Sequence, residues 1–407
     1  MKPSSSHLPS LFGSLLFLLG SALGLGAALL LGVVALSRFF IGGSFDARET
    51  IVLTVVAFEG VLLLIAAVIS FQKFLQQPSA DSDVSYSISA WQIGILVILA
   101  GLAILLGHQV YENQSVNWVL LPVLTIPAVF LPILTLLGLG IRRLHLGTRW
   151  LAWNVLGISM TLVPFILFLV EIIALFLILV LAGIFAVSQP QIAAEMDRLV
   201  TQIYMLGPGP DPEVLMELVA PFVLKPGVIG IVLLYIAVLV PLLEEAIKPL
   251  GVWLFGNQLN SPAQGFALGA LSGAAYALIE TLGVSPQTTD WSTLLLTRVG
   301  TGLLHITTTA LMGGAISFAI RERRYLRLLG TYILAASLHG LWNASAVFYT
   351  FSTMAESLKQ SESLARLSQP IAVGMTLLSV GLLVILVLSN HRMRNNGPIV
   401  ISEEPVV

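Results

Sequence analysis

The chain has 407 residues, 57% of them hydrophobic and 10% charged, with a formal net charge of −2 and no cysteine. A soluble chain carries about a quarter charged residues, so this is the composition of a membrane protein, and its balanced charge offers no basic surface for nucleic acid. The lack of thiols excludes disulfides, a cysteine nucleophile, cysteine-held zinc and palmitoylation.

Apolar runs near the ~20 residues that cross a bilayer recur at 11–36, 51–70, 91–110, 118–140, 150–187, 228–255, 264–283, 293–319, 328–350 and 370–390. None alternates polar with apolar residues, and a helix satisfies its own backbone in lipid. The expected fold is all-α, a polytopic integral membrane protein of about ten transmembrane helices. The first run exceeds the ~7–15 residues of a signal-peptide core and is read as a retained span. Loop 71–90 is polar and rich in Ser and Asp. The fifth run is overlong, either one tilted helix or two segments bent near Pro164. Segment 188–227 then carries amphipathic material over Ala193–Met205, a turn-rich Gly207-Pro208-Gly209-Pro210, and Asp211 placed to cap a short helix. It separates a five-helix region, 1–187, from a region at 228–350 whose spans carry ionisable groups. A last helix and tail fill 351–407, and the tail after Asn390 is expected to be mobile.

Orientation follows from the positive charges. With ten spans and a cytoplasmic N-terminus, the inner side receives Lys2, Lys73, Arg142, Arg143, Arg149, Lys248, Arg321, Arg323, Arg324, Arg327, Arg392 and Arg394. The outer side receives Arg38, Arg48, Arg198, Lys225, Lys359 and Arg366, half as many. Both termini are therefore expected in the cytoplasm, and 188–227 outside.

Four pairs one helical turn apart carry the chemistry: Glu244 (with Glu245) and Lys248, Tyr276 and Glu280, His305 and Thr309, His339 and Asn343. A charge in lipid costs a few kcal/mol, so such groups face a protein interior or a wet cavity. Adjacent Glu244 and Glu245 repel, which in a dry site favours proton uptake and general-base work. Glu244 and Lys248 share a face, where ion pairing softens burial. Arg298, His305 and Thr309 share a face of the eighth span, and His339 lies mid-span in the ninth. Any one of these has a plain reading, as an interfacial anchor or a hydrogen-bonded core histidine. Two histidines and three carboxylates in consecutive spans outweigh that reading and place a site in the bundle of helices six to nine. Glu59 and Glu171 have no partner at helical spacing and are not assigned to it.

The set Pro241-x-x-Glu244-Glu245-x-x-Lys248, Tyr276-x-x-x-Glu280, His305-x-x-x-Thr309 and His339-x-x-x-Asn343 resembles the PrsW family of intramembrane proteases, related to the CAAX prenyl endopeptidases. Tyr276 stands where the family commonly has Phe. The resemblance spans about 100 residues, enough for consecutive membrane helices. It implies proteolysis of membrane-associated protein substrates, in some members anti-sigma factors. It also implies a catalytic set of Glu244, Glu245, Glu280, His305 and His339, with Lys248, Thr309, Asn343 and Arg298 in support. Two mechanisms fit these residues. In one, Glu244 or Glu245 activates water and the histidines stabilise the oxyanion without metal. In the other, favoured here, His305, His339 and a carboxylate such as Glu280 hold Zn²⁺. The competing readings are a proton- or ion-coupled transporter, which also uses intramembrane Glu and His, and a catalytically silent membrane scaffold.

Overall fold

A computed structural model describes residues 7–86, 88–113, 115–283 and 291–395. The chain is an all-α integral membrane protein: among the described residues, nine helical segments are long and apolar enough to cross a bilayer. The first four are α1 (Leu8–Phe40), α2 (Ala47–Phe74), α3 (Ala90–Tyr111) and α4 (Asn117–Gly140). The overlong fifth run is two helices, α5 (Arg149–Met160) and α6 (Leu162–Ser188), broken at Thr161. The break lies three residues before Pro164, whose missing N–H cannot bond back across it.

Segment 188–227 folds as α7 (Pro190–Met205) and α8 (Pro212–Val223). Asp211 caps α8, its carboxylate accepting from the Glu213 N–H at 2.9 Å. The sixth span is α9 (Pro226–Leu233), a π-helical turn (Leu234–Leu239), α10 (Val240–Ile247) and, beyond the break at Pro249, α11 (Leu250–Leu254). Then come α12 (Pro262–Gly283), α13 (Trp291–Glu322), α14 (Tyr325–Ser357), the single turn α15 (Glu362–Ala365) and α16 (Ser368–Asn395).

Two details depart from the sequence reading. The span expected at 328–350 lies in α14, a continuous helix of 33 residues that is not among the nine, because His339, Trp342 and Asn343 dilute its apolar character. Helix α16 continues past Asn390 to Asn395, and the Asn390 side chain donates to the carbonyls of Gly140 and Arg142 at 2.8 and 3.1 Å. The rest of the tail lies outside the described residues. One short antiparallel ladder joins two loops, β1 (Asp83–Tyr86) with β2 (Leu144–Thr148), with an irregularity between Val84 and Ser85.

The chain forms two compact units: Met1–Phe165 with Ala246–Ala335 and Leu382–Val407, and Ile166–Glu245 with Ala336–Gly381. In the first unit α12 and α13 are buried along most of their length, whereas α1 and α3 are mostly exposed. The cause is three glycines spaced four apart in α12, Gly265, Gly269 and Gly273. A Cβ on Gly265 would stand 2.5 Å from the Gly313 carbonyl oxygen, and Cβ atoms on Gly269 and Gly273 would collide with the carbonyls of Thr309 and His305. The two backbones touch, as small residues permit in membranes. Ser159 and Ser272 meet at 2.7 Å, tying α5 to α12.

This contact predicts a contrast. A Cβ on Gly101 in α3 would enter open space, with no atom within 4 Å, so Gly101→Ala should gain up to ~1 kcal/mol of helix propensity. Gly269→Ala has the same propensity gain but forces the backbones apart, a cost of about 1–3 kcal/mol. Thermal unfolding in detergent should show Gly269→Ala melting below Gly101→Ala. Equal melting would mean that the close approach contributes nothing.

In the second unit, Tyr235 on the π-turn donates its hydroxyl to the Glu171 backbone carbonyl at 3.0 Å. The Lys225 ammonium, at the start of α9, pairs with Glu195 of α7.

Candidate active site

Each unit holds a cluster of polar side chains. In the second unit α10 presents adjacent glutamates and α14 presents His339; Glu244, Glu245 and His339 are 6%, 0% and 2% exposed. His339 Nδ1 lies 2.8 Å from Glu245 Oε1, and its Nε2 lies 3.9 Å from Glu244 Oε2. An ionised carboxylate only accepts hydrogen bonds, so an ionised Glu245 places the imidazole proton on Nδ1. The Nε2 lone pair then points to the edge where Glu244 stands. A carboxylate on one nitrogen, with the other nitrogen presented as a base, is the arrangement that orients histidine ligands in metal sites. The donor set, one imidazole nitrogen and one carboxylate, also suits Zn²⁺ or a similar divalent ion.

Asn343, one turn past His339, points elsewhere. Its side-chain amide donates to the Ile236 backbone carbonyl at 2.9 Å.

In the first unit, four residues form a chain of contacts. Lys248, at the break after α10, is fully buried, and its Nζ lies 2.9 Å from His305 Nδ1. His305 Nε2 is 2.7 Å from Glu280 Oε2, which also pairs with Arg298 Nη2 at 3.0 Å. An ammonium only donates and a carboxylate only accepts. With Lys248 ionised, both ends fit one tautomer of His305, with its proton on Nε2. The Tyr276 ring packs edge-on against the His305 ring at 5.2 Å between centroids, and Lys248 Nζ lies 5.6 Å above the Tyr276 ring. The Ser272 hydroxyl donates to the Lys248 carbonyl at 2.7 Å, which fixes the chain just before Pro249.

Lys248, Glu280, Arg298 and His305 are thus joined, as are Glu244, Glu245 and His339. Thr309 is buried, but its hydroxyl has no hydrogen-bond partner among the described residues; its backbone packs against Gly269. The sequence marks Gly273 only as one of the small residues that let helices approach, and gives no site role to Ser272 or the Ile236 carbonyl. The only trace of the last was Pro241, which signals a missing helical donor without saying who replaces it.

Buried Glu/His clusters in the later spans of a polytopic helical protein are the groups that intramembrane hydrolysis requires. The model of a family described as PrsW family intramembrane metalloprotease matches residues 160–373, just over half of the chain and every residue of both clusters. The chain belongs to that family and is an intramembrane protease. No curated protein and no solved structure matches it.

Proposed function

We propose that the protein cleaves membrane-anchored protein substrates, of the anti-sigma type, by metal-assisted peptide-bond hydrolysis, and that the metal is Zn²⁺. The observation that carries this reading is the His339 pair of contacts, with Glu245 on Nδ1 and Glu244 beside Nε2. His339, through the Nε2 that Glu245 leaves free, is the first ligand candidate, with Glu244 beside it as the base. The family's motif set would add His305 as a further ligand, for which Lys248 would have to release its Nδ1 lone pair. A divalent ion so held supplies Lewis acidity and a bound water of lowered pKa.

The protein's own groups do the rest. Glu245 keeps the His339 tautomer and ring orientation. Glu244, on the opposite edge of that ring, takes the proton of the attacking water and returns it to the leaving amine, as a general base turned acid. Lys248 and Glu280 hold His305 from its two nitrogens, and Arg298 neutralises Glu280. Burial of Glu244, Glu245, His305 and His339 keeps bulk water from competing.

Elemental analysis of protein purified without chelator tests the metal. About one equivalent per chain is expected for a site of nitrogen and oxygen ligands that keeps one position for water. No metal, together with activity indifferent to chelators, would leave the metal-free glutamate mechanism.

The charge asymmetry further supports both termini in the cytoplasm. The natural chain has no cysteine, so single introduced cysteines report cleanly. In intact cells an impermeant thiol reagent should label Gln202→Cys and spare His145→Cys. The reverse pattern would invert the topology.

A further inference from the structure

The turn before the two glutamates is wider than an α-helix. Leu234–Leu239 is π-helical, and the Val240 N–H bonds to the Tyr235 carbonyl, five residues back. The next residue in that register is Pro241, which has no N–H. Its partner five residues back would be the carbonyl of Ile236. That carbonyl is the one that receives the Asn343 side-chain amide at 2.9 Å. Gly340, three residues earlier on α14, faces the neighbouring Ala237 carbonyl so closely that a Cβ there would collide with it.

We propose that Asn343 is a positioning residue. Its amide stands in for the donor that Pro241 lacks, and Gly340 lets α14 come close enough for it to do so. An unsatisfied carbonyl within a bilayer costs several kcal/mol, so the contact holds the π-turn open in a single register. Register matters because neighbouring residues on a helix are about 100° apart, and a π-turn inserts one residue, rotating everything after it by that amount. The π-turn therefore decides which of two adjacent glutamates meets His339 Nδ1. The contact fastens the π-turn one helical turn before Glu244 to α14 one helical turn past His339, and so sets the pairing Glu245–Nδ1, Glu244–Nε2. This inference rests on the proposed role of that pairing. It assigns Asn343 to the protein backbone rather than to the substrate.

The test is a double-mutant cycle on the full-length protein in detergent: wild type, Asn343→Ala, Pro241→Ala and the double variant. Two readouts are taken, thermal unfolding and the visible absorption of added Co²⁺ as a spectroscopic stand-in for the resident metal. Asn343→Ala should melt lower and bind Co²⁺ about 10–100-fold more weakly, the usual cost of losing an outer support of a ligand. Pro241→Ala returns an N–H to the Ile236 carbonyl, so adding Asn343→Ala to it should change little in either readout. A double variant as unstable as Asn343→Ala would overturn the proposal, because an amide used on substrate cannot be replaced by a helix hydrogen bond. If no variant binds Co²⁺ but the melting temperatures still show this rescue, the backbone contact stands and the metal reading fails.

Discussion

Glu244→Gln and Glu245→Ala are expected to fail in different ways, although the residues are neighbours. Glu244→Gln keeps size and burial but cannot take a proton, so cleavage should fall by about 10²–10⁴ in a protein that still folds. Glu245→Ala removes the acceptor on His339 Nδ1, 2.8 Å away. The imidazole can then move its proton to Nε2 and turn, and metal affinity should fall about 10–100-fold. Cleavage by Glu245→Ala should recover in excess metal, whereas Glu244→Gln should not respond. Glu245→Gln should be milder than Glu245→Ala, because the amide oxygen still accepts from Nδ1–H. Comparing truncated products in membrane proteomes of cells with wild type and with each variant supplies the activity readout. If metal rescues both variants equally, or neither, the division of roles is wrong.

The second large effect concerns stability. Glu280 compensates Arg298, whose side chain is 15% exposed, and accepts from His305. Glu280→Ala strands a guanidinium, and removing one partner of a buried pair costs about 3–5 kcal/mol. The lower end is expected, because the Glu280 side chain is 34% exposed. Adding Arg298→Leu removes the stranded cation and should restore most of the lost melting temperature. It should not restore cleavage, since His305 still lacks its acceptor. Restoration of both would make Glu280 a purely structural counter-ion, and restoration of neither would mean that the pair does not carry the stability.

Much of this was legible because lipid simplifies the code. Long apolar runs must be helices, and ionisable groups inside them must have a reason. Those two constraints placed nine spans and singled out the residues of both clusters. Pro164 marked a break in the fifth run, although the helix parts at Thr161, because a proline disturbs the residues before it. What stayed hidden depends on register and on partners far apart in the chain. Helical spacing put Lys248 on the face of Glu244, but it could not show that the ammonium reaches His305, far along the chain. Spacing could not separate the roles of Glu244 and Glu245, since the π-turn that rotates them has no sequence mark besides Pro241. Asn343 shares a face with His339, which suggested a shared site, yet its amide serves a backbone carbonyl. The β1–β2 ladder joins residues some sixty apart in loops of ordinary polarity, where periodicity is too short to read.

The touching backbones of α12 and α13 bear on how the protein is made. These two are the least apolar of the nine spans, and each carries charge: Glu280 on one, Arg298 on the other. Threaded into the bilayer singly, each would present an uncompensated ion and a row of glycines that lipid tails cannot fill. Side by side, the ions neutralise each other, and the glycine row becomes a surface for Cα–H···O contacts, which gain strength where water is absent. Biogenesis therefore favours entry of the two helices as a hairpin. In that order of events, the first half of the polar chemistry is assembled before α14 and its histidine have left the ribosome.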